Sequence, residues 1–473
     1  MTAADPRCSA LPVQPVEGRE LGPNARLYVL PAPRLRTLHL LLAFHQVLGQ
    51  EAASCGSLLP RVLRRGTGRW PDLASLAGHL EDLFGASLGA AASKMGDHQL
   101  VELTFSCVGP DSLRRVTAVA AGPVGPPPSV EPAVAGGDGA GSLAAQGAAL
   151  LFEMVTRPAA SEGGALPGRG LREDYFREEK DRLARDIRGL ADDRLAYAHH
   201  RCIQEMCRGE PYAEHSLGRL EDLDPLTVSD LDAYRRELLA SAPVSAYLVG
   251  PVDAALTREV GDILACLAAS GGAARRNLPP SALHPRPSRE REIIEEADVE
   301  QGRLVIGLAT GVLAADAAHP AQVLYNGLLG GFVHSRLFRR IRDEAGLAYY
   351  AWSRVVPTKG LILISCGIQE KDYGRAVDLV RQELRSLARG DFSAREFEAT
   401  RNSVLAEAKA RMDSASDLVY GHLESRTAGE DAGEIAPWRR LRAVTPADVA
   451  EFGSRPAVDV VYLLARRPPR GTV

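Results

Sequence analysis

Apolar and polar positions along the chain fall into two stretches that read alike. Thr37 to Phe44 is a nearly unbroken apolar run, the pattern of a strand buried on both faces, and Arg303 to Leu308 plays the same part later. Helical patterns follow each. Leu73, Leu76, Leu80 and Leu83 recur at i, i+3, i+7 and i+10, and Val377, Val380, Leu384 and Leu387 repeat that spacing. Glu81 to Ser87 closes a helix on Gly85 and leads into a strand ending near Cys107. Asp343 to Tyr349 does so on Gly346, with its hairpin ending near Cys366. A duplicated α+β unit explains both.

Two segments punctuate this pattern. Residues 123–147 are rich in Gly, Pro, Ala and Ser and read as a flexible insertion. Residues 271–289 carry Gly271-Gly272, Pro279-Pro280, Pro285 and Pro287 and read as a linker. The predicted organisation is therefore an N-terminal unit over 20–270 and a C-terminal unit over 290–473. Each is an α+β layer with a mixed or antiparallel sheet and helices packed on one face.

Composition narrows the function classes. The 473 residues are 45% hydrophobic and 25% charged, with a net charge of −4. Arginines are interleaved with acids, as in Arg182 to Asp186, so there is no basic footprint for nucleic acid. No apolar run reaches the length of a membrane span, and Met1 to Arg7 lacks a signal-peptide pattern. Seven cysteines stand at 8, 55, 107, 202, 207, 266 and 366 with no CxxC, which suits reduced thiols in a cytoplasm.

Catalytic motifs are mostly missing. There is no HExxH, no HxxEH and no histidine pair at i, i+4; His199 and His200 are neighbours that face different sides of a helix, with His215 further on. No phosphate-binding glycine motif occurs. Gly85-Ala86-Ser87-Leu88-Gly89 matches GxSxG, but a helix precedes it and a strand follows, the reverse of a nucleophile elbow. One segment stands out, Gly330 to Tyr350. Arg342 lies near a helix end and Tyr349 in the next strand, seven residues on. A guanidinium and a phenol brought to one side could both donate to a peptide carbonyl. The same two residues also read as a surface arginine suited to a helix C-terminus and a half-buried tyrosine.

Ser335-Arg336-Leu337-Phe338, Arg342 and Gly346-Leu347-Ala348-Tyr349 together resemble the C-terminal signature of the pitrilysin/insulinase peptidases (inverzincins). In that family an arginine and a tyrosine at this spacing bind substrate beside a zinc ion. The likeness spans roughly residues 25–465. Leu63-Arg64-Arg65-Gly66-Thr67 matches the stretch that follows the family's HxxEH, which places the motif on Ser57 to Arg61. Ser57 then stands at the first ligand position, Pro60 at the general base and Arg61 at the second ligand. A guanidinium repels zinc, proline cannot take a proton from water, and proline fits a helix interior poorly. The third ligand would correspond to Glu178 or Glu179. More narrowly, Arg65-Gly66-Thr67, Leu80 to Ser87, Lys94, Leu347 to Tyr350 and Lys359-Gly360 resemble a bacterial, non-catalytic branch, the YfmF-like proteins, encoded beside a relative that keeps HxxEH.

The resemblance implies a non-catalytic subunit without a cofactor of its own. This chain would form half of a clamshell, binding peptide through Arg342 and Tyr349, while the HxxEH-containing relative brings the zinc. Two copies of this chain could pair in the partner's absence. The rival reading is a catalytically silent scaffold or peptide-binding module.

Overall fold

The computed structural model describes residues 14–114, 142–160, 170–269, 276–430, 433–435 and 437–466. Thirteen strands run in chain order: β1 (Gln14–Pro15), β2 (Glu17–Gly22), β3 (Ala25–Pro31), β4 (Thr37–Val47), β5 (Ser87–Met95), β6 (His98–Val108), β7 (Val244–Gly250), β8 (Arg291–Ala297), β9 (Gly302–Ala309), β10 (Ala348–Val356), β11 (Leu361–Ile368), β12 (Glu434–Ile435) and β13 (Ala457–Arg466). Eleven of them form a six-stranded sheet, β2-β3-β7-β4-β6-β5, and a five-stranded sheet, β10-β11-β9-β13-β8, while β1 pairs with β12. The two correspond strand for strand. Each has one parallel pair, β3 with β7 and β8 with β13, and each ends in an antiparallel hairpin, β5–β6 and β10–β11. β2 is the extra strand of the first sheet. The duplicated α+β architecture is thus present, and both apolar runs are central strands, β4 and β9.

Each sheet packs its own helices on one face. Leu40, Leu42 and Phe44 of β4 meet helices Gln50–Leu63, Leu143–Thr156 and Glu173–Gly189, while Leu304, Ile306 and Leu308 of β9 meet helices Tyr373–Ala388 and Ala394–Arg411. The opposite faces are covered by exchange. Helix Arg194–Met206, from the N-terminal half, buries Ala198, Cys202 and Met206 against Val305, Leu363 and Tyr462 of the second sheet. Helix Ala415–Thr427, from the C-terminal half, buries Leu418, Val419 and Leu423 against Tyr28, Leu41 and Tyr247 of the first. Sequence periodicity is clear in helix Arg194–Met206 and nearly absent in Ala415–Thr427, and for neither does it say which sheet is covered.

Both punctuating segments differ from expectation in part. Residues 123–141 of the insertion lie outside the described residues. Its end, however, is ordered helix: Ser142 caps the helix starting at Leu143 by accepting from Ala145 N, and Ala144 and Ala145 are buried. Gly147 is needed there because a Cβ would lie 2.2 Å from the Phe105 ring. The linker residues from 276 to 289 carry no helix or strand, yet Ser281 and His284 are buried. They are clamped between the β5–β6 and β10–β11 turns.

Candidate functional site

The positions that the resemblance assigns to a zinc motif lie on helix Gln50–Leu63, which runs without a break through Pro60. Proline costs about 3 kcal/mol inside a helix. Burial of Leu58, Leu59, Val62 and Leu63 around it offsets that cost, so the helix the sequence reading doubted is intact. Ser57 is 2% exposed, and its hydroxyl donates to Ser216 O at 2.5 Å. Gln99 Nε2 donates to the same carbonyl at 2.8 Å and to Ala53 O at 3.0 Å. The 211–219 segment therefore closes over the first ligand position. Lys94 holds that segment down, donating to Tyr212 O at 2.5 Å and Glu214 O at 3.0 Å; burial lowers its pKa to about 8.

Arg61, one turn after Ser57, bonds Asp186 Oδ2 at 2.6 Å. Arg65, a turn further, takes Glu178 at 2.6 Å and Glu179 at 3.0 Å, and Arg182 shares Glu179 at 2.7 Å. A ladder of ion pairs thus joins this helix to Glu173–Gly189. The acid facing the second ligand position is Asp186, not Glu178 or Glu179, which lie higher on the ladder. Its position two helical turns beyond Glu179 is the signal that sequence reasoning missed. A buried hydroxyl bound to a carbonyl, a proline ring and an acid-paired guanidinium are not a zinc donor set, so the residues do not fit the ion.

The histidines are spent elsewhere. His199 Nε2 bonds Ser365 Oγ at 2.5 Å and its ring stacks on Trp352, while His200 turns the other way, edge-on to His215 at 4.7 Å. Burial lowers all three, to about 4, 3 and 4 respectively, so the rings are neutral near pH 7. Ser87 of the GxSxG match opens β5 after a helix stop at Phe84 (φ 59°) and Gly85 (φ 71°).

A charged cluster unforeseen in the sequence sits where the halves meet. Lys359, fully buried in the β10–β11 turn, bonds Asp97 of the β5–β6 turn at 3.0 and 3.1 Å and Glu210 at 2.7 Å. His284 bridges Glu210 (2.6 Å) and Asp459 (3.0 Å), and Arg291 bonds Asp459 at 2.8 Å. Burial pulls the His284 pKa down, but hydrogen bonds with Asp459, Cys207 and Glu210 outweigh it and raise it to about 11. Three carboxylates then face three cations. Cys207, Glu210 and His284 have metal-ligating chemistry, yet Glu210 and His284 already share a 2.6 Å hydrogen bond and Lys359 supplies the counter-charge. The cluster is a lock between halves.

Arg342 and Tyr349 lie across the second unit. The chain here is π-helical over Gly327–Gly331 and Phe338–Glu344, a form concentrated at functional sites. Gly346 (φ 62°) turns it into β10, an edge strand whose register shifts between Ala348 and Ala351. Four arginines lie between 336 and 342. Arg336 pairs with Glu383 at 3.2 Å, Arg339 with Glu396 at 3.6 Å and Arg340 with Glu344 at 3.0 Å. Arg342 is exposed and has no acid partner among the described residues. Tyr349 is 77% exposed, whereas Tyr350 is half-buried beside Arg303. The two tyrosines therefore face opposite ways despite the shifted register.

Residues 225–404 match the model of the peptidase M16 inactive domain. The chain is 28% identical over 441 residues to the probable inactive metalloprotease YmfF of Bacillus subtilis, covering 92% of this chain and 95% of that one. A conserved protein of Enterococcus faecalis superposes with a TM-score of 0.80 at 21% identity, over 96% of this chain and 99% of that one. A peptidase M16 inactive domain from Pseudomonas fluorescens gives 0.71 at 18%, over 96% and 100%. Over most of its length the chain is therefore similar to M16 peptidase relatives of the inactive kind. No described helix is long and apolar enough to cross a membrane.

Proposed function

We propose that this chain is the non-catalytic subunit of a two-chain zinc peptidase and that it holds peptide substrate for a partner bearing HxxEH. The observation that carries this reading is the exposed pair: among the described residues Arg342 has no acid partner while its three neighbouring arginines are ion-paired, and Tyr349 presents its ring to solvent at 77% exposure. A scaffold needs neither. Guanidinium and phenol donors, aimed at a peptide carbonyl that the partner's metal polarises, would stabilise charge developing on it. The edge strand β10 offers unpaired backbone groups to an extended peptide beside them. The chain works in the cytoplasm in this reading, and the shut Ser57 position leaves chemistry to the partner.

Mixing tests it. The chain alone should cleave no peptide, and addition of the HxxEH-bearing relative should give zinc-dependent cleavage with a complex burying more than about 1,000 Å². Sedimentation as separate monomers at micromolar concentration, or robust cleavage by the pure chain, contradicts the proposal.

A further inference from the structure

We infer that Phe338 is the positioning residue for Arg342, an inference that rests on the reading of Arg342 as a substrate-binding group. The two residues stand four apart on the π-helical turn Phe338–Glu344, and the guanidinium carbon of Arg342 lies 4.4 Å from the centroid of the Phe338 ring. Phe338 is itself half-buried, and its flanking residues Leu337 and Ile341 are fully buried, which fixes the ring against the second unit's core. A phenyl face attracts a cation through its quadrupole and narrows the rotamers of a long side chain. It does so without consuming donors. An acid at the same place, as Arg336, Arg339 and Arg340 have, would neutralise the charge and compete with the substrate oxygen. The ring leaves all five N–H groups of Arg342 for the ligand.

The chemical class this arrangement takes is a peptide carbonyl or carboxylate oxygen, reached by a pre-oriented, uncompensated guanidinium. Ordering the side chain before binding removes part of the entropy loss on association. The benefit should therefore appear in peptide binding and transfer to the transition state only through Arg342.

The test uses the complex with the HxxEH-bearing relative and a quenched fluorescent peptide. Phe338→Leu should raise KM or lower kcat/KM by roughly 2- to 30-fold, the range a cation–ring contact supplies. Phe338→Tyr, which keeps the ring, should restore the wild-type value within about 2-fold. In an Arg342→Ala background, Phe338→Leu should have no further effect. A second reading needs no partner: the Nε–H resonance of Arg342, assigned with Arg342→Lys, should lose its ring-current shift in Phe338→Leu. If Phe338→Leu fails to fold, Phe338→Met takes its place with the same readings. Full turnover in Phe338→Leu while Arg342→Ala is impaired overturns the positioning role alone. An equal loss in the Arg342→Ala background overturns it too, as a merely structural effect. Full activity of Arg342→Ala sinks the substrate-binding reading and this inference with it.

Discussion

Lys359→Met isolates the lock between the halves. Lys359 is fully buried and makes contacts of 3.0 and 3.1 Å to Asp97 and 2.7 Å to Glu210. Methionine keeps the stem's volume and removes the charge. Asp97 then retains Ala282 N at 2.8 Å and the Ser281 hydroxyl at 3.3 Å, and Glu210 retains His284, but the carboxylates outnumber their cations. Removing one partner from a buried pair costs about 3–5 kcal/mol. Unfolding entropy of about 2.1 cal/mol/K per residue, taken over the whole chain, amounts to ~1 kcal/mol per kelvin. The melting temperature should therefore fall by about 3–5 °C if the two halves unfold together, and by about twice that if they unfold apart. Calorimetry reads both the shift and the number of transitions. Arg339→Met, which removes an exposed arginine from a long, 3.6 Å pair with half-buried Glu396, is the control and should shift it by less than about 1 °C. Adding Asp97→Asn to Lys359→Met should recover part of the loss. A Lys359→Met melting temperature no lower than that of Arg339→Met would refute the claim that the lock carries stability.

Four further outcomes follow from the same geometry. His284, raised to about 11, contributes stability that is full below its unfolded value near 6.5 and declines as pH rises toward 11. Between pH 7 and 10, urea unfolding of the wild type should lose stability faster than His284→Gln, by up to about 1.4 kcal/mol per pH unit; equal slopes would refute the bridging role. Residues 1–270 expressed alone should not fold cooperatively, because helix Ala415–Thr427 no longer covers Tyr28, Leu41 and Tyr247; a sharp thermal transition would show otherwise. Purified chain should carry no stoichiometric zinc by elemental analysis after mild chelation. Ser57→His, Pro60→Glu and Arg61→His together should still give no peptidase, since the 211–219 segment closes over position 57; zinc-dependent cleavage by the lone triple variant would contradict that closure.

Much of the fold was legible because its signals are local. Continuous apolar runs marked β4 and β9, three- and four-residue spacing marked helices Leu73–Asp82 and Tyr373–Ala388, and Gly85 and Gly346 marked the turns into β5 and β10. The exchange of helices Arg194–Met206 and Ala415–Thr427 was not: the apolar stripe of the first says that it is covered and not by what, and the second has hardly any stripe. Lys359 reads in sequence like any surface lysine; only the meeting of two hairpin turns buries it. Pro60 suggested a broken helix because propensity is local, whereas packing by Leu58, Leu59 and Val62 overrides it. At the site, Arg342 and Tyr349 were singled out by their spacing, and both are exposed. The π-helical turn, the Phe338 ring under Arg342 and the Asp186 partner of Arg61 were not, because each depends on which side chains a turn or a second helix brings together.

The most direct test of the central claim compares Tyr349→Phe with Tyr350→Phe in the assembled two-chain peptidase. Each change deletes one hydroxyl. Tyr349 is exposed and Tyr350 is turned toward Arg303, so the proposed function assigns substrate contact to the first alone. Loss of a donor to a developing oxyanion costs roughly 10²–10³ in kcat, and Tyr349→Phe should fall in that range with an unchanged melting temperature. Tyr350→Phe should stay close to wild type. Equal activity in the two variants would contradict a substrate-binding subunit and leave the chain a scaffold.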